Sequence, residues 1–367
     1  MDKDQLLAMA KRVFPKPAET RDEVAAAAEH VESAGDLGAP GLESLRPPGG
    51  LTAGLESLEG LEATEEEIFG LPRTDVVDKR LRDGGAALDK MKKGKTDLTP
   101  GEQLGLEAIV HLFGRPALLV QDGDFGTPPA EWSQLEGART MLKGIIPSVG
   151  RVDLTGHHTY PWCGTAFLVG DGILMTNRHV AAVFSSLQGK EWKFMSGVKA
   201  NVDYREEYQR DVANEFKIDK VLGVHPTYDL ALLSVAKKGG KGTKAPTVLK
   251  LSSKPPKTTK DADVVVIGYP AFDSRNGRTE QMDIFKNIFN VKRLQPGKST
   301  GLKQTPQILG HDCSTLGGNS GSCVIDLATG NVVGLHFGGQ YLKGNVSVPL
   351  WKLAKDAFFK KHKVNWV

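Results

Sequence analysis

Cys313-Ser314-Thr315-Leu316-Gly317-Gly318-Asn319-Ser320-Gly321-Ser322 is the stretch from which the rest of the chain is read. A serine stands among glycines at 317, 318 and 321. Glycine lets the backbone take turns closed to residues with a Cβ. Such a turn can aim the Gly318 and Ser320 N–H groups at one point. Fixed donors where a tetrahedral intermediate carries its negative oxygen are worth ~10²–10³ in rate. A glycine-rich loop with an incidental serine has the same composition, so the reading depends on partners elsewhere.

Upstream, Gly164-Thr165-Ala166-Phe167-Leu168-Val169 and Gly172-Ile173-Leu174-Met175-Thr176 are apolar runs about Asp171-Gly172, the pattern of a tight β-hairpin. Asn177-Arg178-His179-Val180-Ala181-Ala182 follows, where a short Ala-rich helical turn is expected. Next, His225-Pro226-Thr227-Tyr228-Asp229-Leu230-Ala231-Leu232-Leu233 sets Asp229 at the mouth of a strongly apolar strand. A carboxylate there suits an imidazole whose tautomer it fixes and whose cation it stabilises. The chain order is His179, Asp229, Ser320.

These motifs resemble the chymotrypsin-like (trypsin-fold) serine endopeptidases. The matching residues are Thr176 to Val180, Tyr228 to Leu233 and Gly318 to Ser322. Val333-Gly334-Leu335-His336-Phe337-Gly338-Gly339 falls where that fold presents its substrate-binding strand. The resemblance covers roughly residues 148–367. It implies a mainly β, chymotrypsin-like double β-barrel with a C-terminal helix. It also implies His179 as general base, Asp229 as its orienting acid, Ser320 as nucleophile, and Gly318 and Ser320 as the oxyanion hole.

Local similarity is to the glutamyl endopeptidases, in Ser314 to Ser322 and Gly334 to Gly339. It places Thr315 and His336 at the base of the first specificity pocket, with Phe337 and Gly338 on the substrate strand. Cleavage after Glu is the expectation, since a hydroxyl and an imidazole can both donate to a carboxylate. Ser314 stands where trypsin-type pockets carry Asp, which disfavours Lys or Arg. Two positions depart from the family pattern. Val180 replaces the cysteine that often pairs with the position of Cys163. Asn319 replaces the Asp that many secreted members pair with a newly freed N-terminus, so activation by that ion pair is not expected. The alternatives are a catalytically inactive protease-like binding module and a serine esterase. An esterase of the α/β-hydrolase type wants the order Ser, Asp, His and a Gly-x-Ser-x-Gly elbow, and this chain has neither.

The remainder of the 367 residues sets the context. Hydrophobic content of 40% and charged content of 25% are those of a soluble globular protein. Residues 1–70 hold 15 acidic and 6 basic side chains, a net of −9; the chain total is +3, so the rest carries +12. The basic excess gathers between Lys237 and Lys260 without interleaved aromatics, which reads as a solvated loop and not a nucleic-acid site. The N-terminus lacks the layout of a secretory signal. No apolar run approaches the ~18 residues that span a membrane. Three cysteines, Cys163, Cys313 and Cys323, make no disulfide framework, and with no signal they point to a reducing cytoplasm. No His/Cys/Asp cluster has metal-ligand spacing, so neither metal nor cofactor is expected.

Two domains are expected. Residues 1–145 form a mainly helical region with a flexible Gly/Pro/Glu-rich segment near 35–63, and residues 146–367 form the protease-like domain. Helices are expected at about 4–14, from Thr20, from Thr74 to Lys93, and from Pro129 to Ile145. Another opens at Thr99-Pro100-Gly101-Glu102, with Thr99 as N-cap. A terminal helix is expected from Val348 to His362. Protein or peptide substrates are implied, with the acidic N-terminal region docking on the basic domain or recruiting a partner.

Overall fold

A computed structural model describes residues 83, 86–87, 89–90, 97–99, 101–102, 114–210, 212–272, 284–303, 307–340 and 344–367. The helices expected at 4–14 and from Thr20, and the 35–63 segment, lie outside the described residues. The chain divides into two units, with 117–273 and 288–367 in one of them. In the other, the opening at Thr99 is a reciprocal capping box. Glu102 N–H donates to Thr99 Oγ1 at 3.2 Å, and Thr99 N–H donates to Glu102 Oε2 at 2.7 Å.

The larger unit includes β1 (Leu118–Gln121) and β2 (Asp124–Phe125). The helix expected from Pro129 to Ile145 is broken into a 3-10 turn at Ala130–Trp132, α1 (Gln134–Gly137) and α2 (Arg139–Ile145). Gly137 ends α1, and glycine is a poor helix interior residue.

Six strands then close the first barrel: β3 (Val149–Thr155), β4 (Trp162–Gly170), β5 (Ile173–Thr176), β8 (Lys199–Asp203), β9 (Glu215–Val224) and β10 (Ala231–Val235). Between them lie α3 (Arg178–Phe184) and the hairpin β6 (Ser185–Gln188) with β7 (Glu191–Phe194). The second barrel comprises β11 (Lys260–Gly268), β12 (Arg293–Lys303), β13 (Ile308–His311), β14 (Cys323–Asp326), β15 (Val332–Gln340) and β16 (Gly344–Pro349). Its order is β11-β14-β15-β16-β13-β12, closed by β12 on β11, with β1 added outside β12. This is the double β-barrel that the motifs imply.

The apolar runs are explained by burial on both strand faces. In β4, Ala166 and Leu168 enter the first-barrel core, while Phe167 and Val169 enter a core shared with the second barrel. In β11, Val264 and Val266 fill the second barrel, while Val265 and Ile267 face the shared core. That shared core also takes Trp132, Leu135, Leu142 and Ile145. It fixes the two barrels against each other, and the site depends on that.

The terminal helix is shorter than expected. Val348 and Pro349 belong to β16, Leu350–Leu353 is a 3-10 turn, and only α4 (Ala357–Lys360) is α-helical. β-Branched Val346 and Val348 suit a strand, and helix restarts only where Asp356 Oδ1 accepts the Phe358 N–H at 2.7 Å. None of the three cysteines is in a disulfide. Among the described residues no helix is long and apolar enough to cross a membrane.

Candidate active site

His179 sits in the first turn of α3, directly after β5. Three consecutive side chains reach across to the turn before β10. Asn177 is the N-cap of α3 by position, yet its amide donates to the Asp229 carbonyl at 2.9 Å. Arg178 Nη2 donates to the carbonyls of His225 and Tyr228, the latter at 2.9 Å. His179 Nδ1 and Asp229 Oδ2 are 2.6 Å apart. The His179 backbone N–H donates to Asp229 Oδ1 at 3.0 Å, so the carboxylate also caps the helix that carries the imidazole. The turn is closed from inside by His225, whose Nδ1 accepts the Thr227 and Tyr228 N–H groups at 3.1 and 3.0 Å. Burial pushes the Asp229 carboxyl up, but His179 and then Arg178 outweigh it and hold it below the usual range. Asp219, another acid of this region, pairs with Lys217 at 3.0 Å instead.

Ser320 lies in the loop between β13 and β14, which the second barrel supplies. Gly164 is where the two halves meet. A Cβ there would stand 2.8 Å from a Val180 methyl and 3.0 Å from the Ser320 carbonyl oxygen. Gly318 has φ of +84° and Gly321 of +90°. A Cβ on Gly318 would be 2.4 Å from the Tyr269 carbonyl, and one on Gly321 would be 1.9 Å from that of Thr165. Both positions therefore require glycine for conformation and for space.

The peptide planes fix where the loop's N–H groups point. In a trans peptide, C=O and N–H are opposed. The Gly317 carbonyl accepts from Ala271 N–H at 2.7 Å, which turns the Gly318 N–H the other way. The Asn319 carbonyl accepts from Ser322 N–H at 2.9 Å, which does the same for the Ser320 N–H. Asn319 is fully buried, and its Oδ1 accepts from Gln295 Nε2 at 2.9 Å. A neutral amide pair thus anchors the loop at Asn319. The Gly321 N–H donates to the His336 carbonyl and the His336 N–H to that of Ser322, both at 2.9 Å. This ties the strand of His336, Phe337 and Gly338 directly to the serine loop.

His336 is buried, and its Nδ1 lies 3.1 Å from His311 Nε2. His311 Nδ1 is buried without a partner. The hydrogen-bond network assigns the protons. An unpaired buried acceptor costs less than an unpaired N–H, so His311 carries its proton on Nε2 and donates it to His336. The His336 proton is then on its own Nε2. Burial pushes His311 down to about 4 and His336 well below the usual imidazole range.

Thr315 is half-buried and donates its hydroxyl proton to Asn345 Oδ1 at 2.7 Å. Asn345 Nδ2 donates to the Cys313 carbonyl at 2.6 Å, which fixes the amide's orientation. Thr315 therefore offers lone pairs and not a proton, contrary to the donor role expected from its residue type. Cys163 Sγ faces the Val180 carbonyl at 3.9 Å.

Sequence reasoning did not single out Asn177, Arg178, His311, Asn345 or Gln295. Adjacency to His179 was a signal for the first two. The others come in from separate strands and had none. Asp153, Asp203 and Glu215 offer carboxylate oxygens within 4.8 Å of one another, a grouping that their spacing conceals. Arg151 Nε at 2.6 Å occupies Asp153, and the Arg205 and Asn214 N–H groups occupy Asp203.

Two closed barrels, an imidazole–carboxylate pair from one and a serine between glycines from the other define a serine-type hydrolase of the double-barrel class. Residues 164–335 match the family model described as a trypsin-like peptidase domain, and that match supports a serine-type peptidase. It is 26% identical over 287 residues to a probable serine protease of Lysobacter enzymogenes, covering 69% of this chain and 74% of the relative. The solved Rv3671c protease of M. tuberculosis is 20% identical in its inactive form, covering 65% of this chain and 98% of that one, with a TM-score of 0.40. The HtrA-type protease AlgW, solved with a decapeptide, is 16% identical, covering 61% and 67%, with a TM-score of 0.41.

Proposed function

We propose that this chain is a serine endopeptidase in which His179, Asp229 and Ser320 form the catalytic triad. The 2.6 Å His179–Asp229 contact, made by a carboxylate that also takes the His179 N–H, carries the reading. With its Nδ1 proton committed to Asp229, the imidazole leaves Nε2 unprotonated to accept the Ser320 proton. Ser320 Oγ attacks the peptide carbonyl, and the oxyanion is held by the Gly318 and Ser320 N–H groups. His179 gives its proton to the leaving amine, and water then releases the acyl group. The acidic N-terminal region serves to dock on this domain or to recruit substrate.

The first specificity pocket takes glutamate. Its proton donor is the His336 Nε2–H, with His311 behind it, and an incoming carboxylate favours the charged imidazole that burial otherwise opposes. A second reading follows from the Thr315–Asn345 bond. A hydroxyl that can only accept, beside a neutral imidazole that donates, also fits the amide of glutamine, whose NH₂ would meet Thr315 and whose oxygen would meet His336.

Fluorogenic peptides that differ only before the scissile bond separate these readings. Glu peptides cleaved at least tenfold faster than Gln, Ala and Leu peptides, with the preference lost in His336→Val, are expected. Gln cleaved fastest would assign the amide pocket. Ala or Leu cleaved as fast as Glu would remove both readings while leaving the triad untouched.

A further inference from the structure

We propose that Thr165 is a positioning residue for the oxyanion hole, holding from the first barrel the two residues whose N–H groups bind the oxyanion. The inference rests on the reading that Gly318 and Ser320 supply those donors. Thr165 lies within β4 and is fully buried. Its hydroxyl donates to the Gly318 carbonyl at 2.8 Å and accepts the Tyr269 N–H at 3.3 Å. Its backbone N–H donates to the Ser320 carbonyl at 2.9 Å. Its own carbonyl accepts from Thr176 Oγ1 at 2.7 Å, and Thr176 is also fully buried.

Each oxyanion donor N–H lies in the peptide plane before its residue, and the plane after it, joined at the Cα, limits how far that N–H can swing. At Gly318, the preceding plane is pinned by Ala271, and the following one by the Thr165 hydroxyl at 2.8 Å at one end and, at the other, by the Asn319 N–H on the Leu316 carbonyl at a longer 3.2 Å. At Ser320, the preceding plane is pinned by Ser322 N–H, and the following one by Thr165 N–H at one end and the His336 carbonyl at the other. Thr165 thus supplies one pin at each donor, and at Gly318 its side chain supplies the shorter of the two on the following plane. Without a Cβ, Gly318 has wider backbone freedom than Ser320, so of the two donors it is the one that more needs the pin. Preorganised donors cost no reorganisation during reaction, and that advantage falls when a donor's direction is no longer fixed.

Thr165→Val keeps the shape and removes the hydroxyl. The test compares two ligands on the full-length protein. A peptide aldehyde adds to Ser320 Oγ and places its former carbonyl oxygen in the hole as an oxyanion, with no leaving group. A reduced-amide peptide of the same sequence has no carbonyl at that place. Thr165→Val is expected to weaken aldehyde binding by about tenfold to a hundredfold and to lower kcat by a similar factor, less than the loss of a whole donor. KM and reduced-amide affinity should stay within about twofold, and Thr165→Ser should restore most of the loss.

Thr165→Val with wild-type aldehyde affinity and kcat would overturn the inference. So would parallel losses for both ligands, which mark a general structural defect. Should Thr165→Val not fold, Thr165→Cys keeps nearly the same volume with a weak donor. An intermediate selective loss of aldehyde affinity would then support the proposal, and none would overturn it. A wild-type protein that binds the aldehyde no better than the reduced amide would instead defeat the oxyanion reading itself.

Discussion

Asp229→Asn is the sharpest test of the triad, because the structure dictates how the asparagine must sit. The carboxylate receives two hydrogen bonds: His179 N–H on Oδ1 at 3.0 Å, and His179 Nδ1 on Oδ2 at 2.6 Å. A backbone N–H is always a donor, so the amide oxygen has to take the Oδ1 place. The NH₂ then faces Nδ1, which must become an acceptor. That drives the imidazole proton onto Nε2, the nitrogen that should receive the Ser320 proton. The wrong tautomer and the lost support for the imidazolium together should lower kcat on the order of 10⁴. At ~1.36 kcal/mol per decade this is about 5.5 kcal/mol of barrier. KM should change by less than about threefold, since the substrate is not touched. Asp229→Ala is the informative control: it removes the orienting group but permits the Nδ1–H tautomer, so the asparagine variant should be no more active than the alanine one. The assay is kcat and KM on a peptide amide, with the labelling rate of a fluorophosphonate as a second measure of Ser320 reactivity. Asp229→Asn activity within tenfold of wild type, or well above that of Asp229→Ala, would refute the reasoning.

Three further outcomes are expected. Burial, opposed by Arg151 and reinforced by Asp203 and Glu206, pushes the Asp153 carboxyl up to about 6. A raised folded pKa gives stability that is present in full below the unfolded value near 4 and is lost as pH rises through 6. With ~1.36 kcal/mol per unit, the whole effect amounts to at most about 3 kcal/mol, of which about 1.4 kcal/mol falls between pH 5 and 7.5; urea unfolding at those two values should show that difference and its loss in Asp153→Asn. An unchanged difference would contradict the burial argument. Gln295→Leu leaves the buried Asn319 amide without its partner, so unfolding free energy should fall by ~1–3 kcal/mol; kcat should fall while fluorophosphonate-reactive serine remains. Wild-type stability would show that the amide pair contributes nothing. A chain begun at Ala117 keeps β1 and the shared core, and it should cleave peptides as before but protein substrates at an altered rate that converges with the full chain as salt rises. Identical protein cleavage at low and high salt would leave residues 1–116 without the docking or recruiting role.

What the sequence disclosed and what it hid divide by range along the chain. The Asp171-Gly172 hairpin joins residues that are neighbours, and the Thr99–Glu102 capping box spans a single helical turn. Local propensity and turn chemistry decide both, so both are legible. The three residues proposed as the triad are far apart, but each carries its own local signature: a helix start, a strand mouth, a glycine turn. The side-chain grouping behind His336 has no such signature. It exists because β16 lies between β15 and β13, which sets Asn345 opposite His311 on one side and Gly339 on the other. His336 and His311 belong to strands 25 residues apart, and no residue beside either announces the pair. Thr165 shows the same limit in a stronger form: in the sequence it is one member of an apolar run, yet its hydroxyl acts 153 residues away. A threonine inside a strand buried on both faces has to satisfy its hydroxyl somewhere, since a buried polar group without a partner costs ~1–3 kcal/mol. Where such a residue is fixed in a rigid strand, the partner it finds is held as firmly as the strand. In the mechanism proposed above, that partner is the turn that has to stay still while the substrate's oxygen gains its charge.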